Sequence, residues 1–232
     1  MPTLPTASSG PSRPSPDASP RPDELLRALL DAADADYACY LRLAAVTGAR
    51  RGQLVALRWS DLDLTKGSVL FTRAHARVGG GVAEKTTKAD VEYGIALDPA
   101  TVDALRAHRK RCAERALATG VSLPPDAFVF ATRSAPDGSV AWTPAVASGA
   151  FSRLRSKVRG AEGVRAHDLR HWLATSMFAD GFDPVTVAGR GGWSSPVVPM
   201  SVYGHFAPAR DQAAAHSLAR RLAGSTPDDR DL

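Results

Sequence analysis

His167-Asp168-Leu169-Arg170-His171 opens an apolar stretch at helical spacing that runs to Gly181. A helix over 167–181 puts His167 and Arg170, three apart, on one face. An imidazole donor and a fixed guanidinium fork then converge on one small anion, which is a way to hold a phosphate. Trp193 and Tyr203 follow, in Val187-Ala188-Gly189-Arg190-Gly191-Gly192-Trp193 and Val202-Tyr203-Gly204-His205. A second fork comes from far upstream, in Thr47-Gly48-Ala49-Arg50-Arg51-Gly52-Gln53-Leu54. Gly48 reads as a helix stop and Arg50 opens the next helix, so the Arg50 side chain emerges from a tight junction and not from a solvated helix face.

Two arginines, a histidine, a tryptophan and a late tyrosine in this order resemble the catalytic domain of the tyrosine recombinases, the phage integrase family of site-specific DNA recombinases. The resemblance spans roughly residues 23–222. It implies a mainly α fold with a small antiparallel β-sheet, an α+β class. It also implies double-stranded DNA as partner, cleaved and religated through a 3′-phosphotyrosyl intermediate, and self-association as a tetramer on DNA during recombination. Neither metal nor other cofactor is expected. Carried onto this chain, it makes Tyr203 the nucleophile, Arg50 and Arg170 the phosphate clamp, and Trp193 a further donor to the same phosphate, while His167 adds a hydrogen bond or manages the nucleophile's proton. The family's general acid is a lysine on a strand hairpin. Lys88 in Thr87-Lys88-Ala89 matches that place most closely, with Lys85 in Glu84-Lys85-Thr86 as the rival. Either can also be read as an edge-strand lysine that discourages aggregation.

The chemistry can be argued from the residues as well. Breaking a phosphodiester while keeping its energy requires a covalent intermediate, and a tyrosine can form one reversibly. Tyr37 and Tyr40 lie in an early amphipathic helix and Tyr93 in a strand pattern, where a packing role is expected. Tyr203 stands late, after a Pro- and Val-rich stretch and outside any long periodic helix. Negative charge grows on the non-bridging oxygens in the transition state, and preorganised donors such as Arg50 and Arg170 stabilise it.

Several positions depart from the family pattern. Gln53 replaces a carboxylate three residues after the first arginine, and Gly191 replaces a leucine, which is expected to loosen packing. Asp90 and Glu92 follow Lys88 where basic residues are common in relatives. The upstream core-binding domain of the family is not represented, so the chain reads as a catalytic domain alone.

Composition bounds the same answer. With 232 residues and 44% hydrophobic content the chain can bury one core. Residues 1–22 hold seven prolines and five serines without an apolar run, and so read as a disordered tail or linker remnant and not as a secretory signal. The domain is expected over 23–223, with a flexible acidic tail over 224–232. Cys39 and Cys112 have no metal spacing and suit a reducing cytoplasm, where the chain would sit on the nucleoid. A net charge of +5 suits a polyanion, and no membrane span is visible. The run at Arg106, Arg109, Lys110 and Arg111 reads as a solvated helix face. The run from Arg153 through Arg155, Lys157 and Arg159 to Arg165 reads as DNA backbone contact.

Helices are expected from Pro22 to near Asp34, from Ala35 to Gly48, from Asp98-Pro99 to about Leu117, from Thr143-Pro144 to about Val158, and from about Ala209 to Ala223. Strands are expected at 68–72 and 94–97, with a turn at Gly79-Gly80-Gly81 between them. Two other readings stay open. His167 and His171 could ligate zinc in a variant of the H-E-x-x-H pattern, with His205 or His216 as third ligand. Alternatively the chain is a recombinase-fold DNA-binding module that no longer cleaves.

Overall fold

In the computed structural model, residues 21–79, 81–86, 93–203 and 215–220 are described. Each main helix begins where a side chain or a proline settles its first turn. In α1 (Pro22–Ala32) the proline takes a position that needs no amide donor. In α2 (Ala35–Thr47) Asp34 accepts from the amides of Asp36 and Tyr37, and the helix stops at Gly48, whose φ of 61° is left-handed. A short α3 (Arg51–Val55) follows directly, so the Gly48 stop sets the angle at which Arg50 enters.

Strands β1 (Leu62–Asp63), β2 (Ser68–Phe71) and β5 (Tyr93–Ala96) form one antiparallel sheet in the order β1-β2-β5. The pairing Val69↔Ile95 and Phe71↔Tyr93 puts apolar side chains against the helices. Between them β3 (Arg73–Val78) and β4 (Gly81–Thr86) form a separate antiparallel hairpin. The two strands expected at 68–72 and 94–97 are both present. The hairpin around the Gly79–Gly81 turn adds two strands, Arg-Ala-His-Ala-Arg-Val and Gly-Val-Ala-Glu-Lys-Thr, whose basic and small residues carry little strand propensity.

Helix α4 (Pro99–Ala118) is capped by Asp98 and α5 (Pro144–Arg155) by Thr143. The latter ends three residues before the expected Val158. The amides of Lys157 and Val158 turn back to Leu154 and Arg155, tightening the chain into turns. Helix α6 (Asp168–Asp180) ends on Gly181 at φ 95°, α7 (Pro184–Gly191) on Gly192 at φ 64°, and α8 (Val197–Tyr203) follows. Of the last expected helix, residues 215–220 are helical and the rest lie outside the described residues. None of the helices among the described residues is long and apolar enough to cross a membrane.

The core lies between α2, α4 and the three-stranded sheet, with Leu41, Leu43, Leu54, Phe71, Leu105 and Phe130 almost fully buried. A smaller apolar cluster of Leu173, Ala174, Met177 and Val187 seats α7 on α6. Asp36 is a charged group buried inside the frame. The Asp36 carboxylate on α2 accepts from His108 Nδ1 (3.2 Å), Arg111 Nε (3.1 Å) and Arg115 Nη1 (2.6 Å) on α4. Burial pushes the Asp36 carboxyl up, but the His108 and Arg111 hydrogen bonds and nearby positive charges outweigh it and hold it well below the carboxylate range. Burial alone would lower His108, yet its bond to Asp36 and the contacts with Cys112 and Val129 raise it to about 9. Arg111 therefore departs from the solvated face expected of 106–111, because a buried carboxylate on the neighbouring helix needs cationic donors.

Candidate active site

Arg170 lies in the first turn of α6 and is 6% exposed. Its Nη1 donates to the carbonyls of both Gly48 and Gly191, the residues at the ends of α2 and α7. Helix ends leave carbonyls without intrahelical partners, and one guanidinium supplies donors to two of them. Its guanidinium carbon lies over the Trp193 ring, 3.8 Å from the ring centre. Gly48 is tight for a further reason, since a Cβ there would run into Leu173. Arg190 on α7 ties the same corner, donating Nε to Val46 O (3.0 Å) and Nη1 to Ala96 O (3.3 Å).

Glycine at 191 does not loosen this corner. The residue is buried, and a Cβ there would fall inside the Trp193 ring, so glycine is what lets the indole settle over Arg170. The expectation drawn from helix propensity is reversed by tertiary packing. Gly192 plays the same part for Tyr93, whose ring occupies the space its Cβ would need.

Arg50, exposed at the start of α3, donates its amide to Gln53 Oε1 at 2.9 Å. Gln53 is almost fully buried, and the same oxygen accepts from Tyr93 OH at 3.2 Å. Its Nε2 has no hydrogen-bond partner among the described residues. Tyr93 thus touches both arms of the corner, Arg50 through Gln53 and Trp193 through Gly192. A strand pattern gives no sign of this, because the contact depends on where α7 ends in space.

His167 precedes α6 with helical backbone angles (φ −71°, ψ −23°). Its ring meets that of His171 edge-on, with centroids 4.8 Å apart. Burial, then the nearby His171 and Arg170, hold the His167 imidazole below its ordinary value, which favours the neutral ring at neutral pH. Arg50, His167 and Arg170 line one cleft of about 400 Å³, together with Arg51 and the buried rings of Tyr37 and Tyr40. Tyr37 donates its hydroxyl to Ala147 O at 2.9 Å, the packing role expected of it.

Such a cleft suits a compact anion bearing several oxygens: Arg50, Arg51, Arg170 and His167 line it, and apolar rings lower the local dielectric. Tyr203 closes α8, which packs on α6 and α7, but its side chain lies outside what the structure describes. Lys88, Asp90, Glu92 and His205 lie outside the described residues, and Lys85 is described only by its place on β4. Among the described residues no third His, Cys, Asp or Glu joins His167 and His171 in a group able to hold a metal ion.

The model of the phage integrase family matches residues 22–210. A prophage phiRv2 integrase of Mycobacterium tuberculosis is 28% identical over 185 residues, covering 79% of this chain and 46% of the relative. A tyrosine recombinase XerC-like protein of Caldanaerobacter subterraneus is 26% identical over 193 residues, covering 76% of this chain and 47% of the relative. The chain thus spans about half the length of these curated relatives. Among solved structures, the Tn1549 transposon integrase in complex with transposon right-end DNA superposes with a TM-score of 0.69 at 18% identity, over 89% of this chain and 67% of that one. XerA recombinase gives 0.59 at 21% identity, over 88% and 66%. Matched by that family model from its first helix past its last tyrosine, and sharing the recombinase fold, the chain belongs to the phage integrase family.

Proposed function

We propose that this chain is the catalytic domain of a tyrosine site-specific recombinase, cleaving and religating duplex DNA without a metal ion. The observation that carries the reading is the convergence of Arg50, His167 and Arg170 on one cleft, with Trp193 laid against Arg170. Solved complexes of the Tn1549 integrase with transposon DNA support a duplex as substrate.

In this reading the scissile phosphate sits between Arg50 and Arg170, which stabilise the charge that builds on its non-bridging oxygens. Arg170 is fixed by its carbonyl partners and so needs little reorganisation. The Tyr203 oxygen forms a bond to phosphorus as the bond from phosphorus to the 5′-oxygen breaks, leaving a 3′-phosphotyrosyl link. The phenolic proton leaves by way of His167, whose neutral ring can accept it. Lys88, or Lys85 in its stead, protonates the departing 5′-oxygen. Trp193 both donates to the phosphate and backs Arg170. Religation reverses these steps.

The same reading takes 23–223 as the domain, with tails over 1–22 and 224–232, acting on the nucleoid in the cytoplasm. It includes assembly as a tetramer on DNA. Exposed apolar side chains near the last helices, Val185, Val197, Met200 and Val202, and the apolar stripe of 209–222 support that assembly. The basic run from Arg153 to Arg165 is proposed to follow the DNA backbone. A second reading, a domain that binds DNA without cutting it, is favoured by Gln53, which stands in place of a carboxylate and keeps a buried amide without a partner among the described residues.

A nicked suicide duplex carrying candidate sites separates the two. With EDTA present, wild type is expected to give a slow-migrating covalent adduct on a denaturing gel, and Tyr203→Phe none. Salt-sensitive binding by both proteins without any adduct would transfer the case to the non-cleaving module.

A further inference from the structure

We propose that a second cleft beside the first holds a neighbouring backbone phosphate of the same DNA strand, with Arg51 and Arg77 as its cations; this rests on the reading of the chain as a DNA recombinase. The second cleft, of about 660 Å³, is lined by Arg51, Gly52, His75 and Arg77 with the start of α5 at Thr143 and Pro144. Arg51 and Gly52 also line the cleft of Arg50, His167 and Arg170, so the two run into one another across α3. Gly52 makes this junction close: a Cβ there would strike the His75 carbonyl, so α3 rests directly on the backbone of β3.

The charge of the cleft is unbalanced. Side chains at alternate positions of a strand share a face, which groups Arg73, His75 and Arg77 on β3. Arg73 pairs with Asp61 at 3.3 Å and His75 with Glu84 at 3.4 Å, while Arg58 also reaches Glu84 at 3.6 Å. Among the described residues, Asp61 and Glu84 are therefore already engaged by Arg73 and Arg58. Arg77 is exposed, and Arg51 donates to the neutral hydroxyl of Ser148. Among the described residues neither of them makes an ion pair with a carboxylate. The N-terminal end of α5 adds the positive end of a helix dipole. Two unmatched guanidinium groups beside a positive helix end suit a phosphodiester oxygen, and continuity with the first cleft assigns it to the same strand.

The test is the salt dependence of binding to a short random-sequence duplex. Every phosphate that the protein no longer neutralises flattens the plot of log affinity against log salt by about 0.9, so Arg51→Gln with Arg77→Gln, which together give up one phosphate, should flatten it by about 0.9. Lys66→Gln with Lys110→Gln removes the same charge from residues lining neither cleft and should leave the slope as in wild type. Arg51→Lys with Arg77→Lys, which keeps the charge, should restore it and show that the glutamine pair has not merely unfolded the domain. An unchanged slope in the glutamine pair, or an equal flattening in the control pair, overturns the proposal. On the nicked duplex, a methylphosphonate a few nucleotides from the scissile phosphate should weaken wild type and leave the glutamine pair unaffected. The Tyr203 adduct is scored separately. Adduct formation with no slope change rejects the second cleft alone, whereas a slope change with no adduct rejects the recombinase reading and retains a phosphate-binding cleft.

Discussion

Asp36→Asn should destabilise the domain and abolish one limb of its pH dependence. Asp36 is 7% exposed and accepts from three cationic side chains of α4, so the substitution leaves a buried His108 without its anion. Removing one partner of a buried charge pair costs about 3–5 kcal/mol. At roughly 2–4 °C per kcal/mol for a domain of this size, Tm should fall by about 12 °C at pH 6. The pH dependence carries more information. His108 is raised from 6.5 to about 9, so its contribution is complete below about 6.5 and disappears as pH climbs through 9. At about 1.4 kcal/mol per pH unit this is roughly 3 kcal/mol. Asp36, held low, contributes stability that disappears only as pH falls through its own acidic range. Wild type should therefore melt about 6–12 °C lower at pH 9 than at pH 6 when followed by circular dichroism. Asp36→Asn should have nearly the same Tm at both. A variant that keeps the wild-type decline between pH 6 and pH 9 would refute the argument, because the decline would then belong to other groups.

Arg170→Lys should slow adduct formation on the nicked duplex by about a hundred- to a thousand-fold. It should also lower stability by about 3 kcal/mol, since a lysine cannot keep both carbonyl bonds and the stacking on Trp193. Full stability in an inactive variant would contradict the double role. Tyr93→Phe keeps the ring beside Gly192 but removes the donor to Gln53; cleavage at saturating DNA should slow by about tenfold, with affinity unchanged and stability lower by about 1 kcal/mol. A change in affinity alone would place Tyr93 outside the positioning of Arg50. Gly191→Ala should cost about 2–3 kcal/mol through overpacking against Trp193, read as a Tm lower by about 8 °C, and a neutral outcome would mean that the indole has room to move.

Helices are readable in the sequence wherever a stop or cap is a local matter: Asp34, Gly48, Asp98, Thr143 and Gly181 each mark an end by their own chemistry, whereas α7, ending on Gly192, is seen only in the structure. The sheet strands 68–71 and 93–96 are also visible, because β-branched and aromatic residues alternate there. The β3–β4 hairpin is not, since Arg73, His75 and Arg77 read as polar chain until Asp61 and Glu84 are brought alongside. In the candidate site, His167, Arg170 and Arg50 can be named from spacing, and the structure brings them to one cleft. What spacing cannot supply is the support: Gly48 and Gly191 as carbonyl partners of Arg170, or Tyr93 as the link between Gln53 and Gly192. Those contacts join residues far apart in the chain, and no local pattern encodes them. Gly191 misleads helix propensity for the same reason.

The two carbonyl bonds of Arg170 bear on how such a domain can decay. A chain drifting toward inactivity could lose an exposed side chain such as Arg50 with little effect on folding, because surface positions tolerate change. Arg170 is different, since its loss would unfasten two helix ends as well as empty the cleft. Proteolysis would remove such a variant along with its function. A silent descendant that still folds is therefore expected to keep Arg170, and the presence of this arginine in a folded relative testifies to architecture before it testifies to activity.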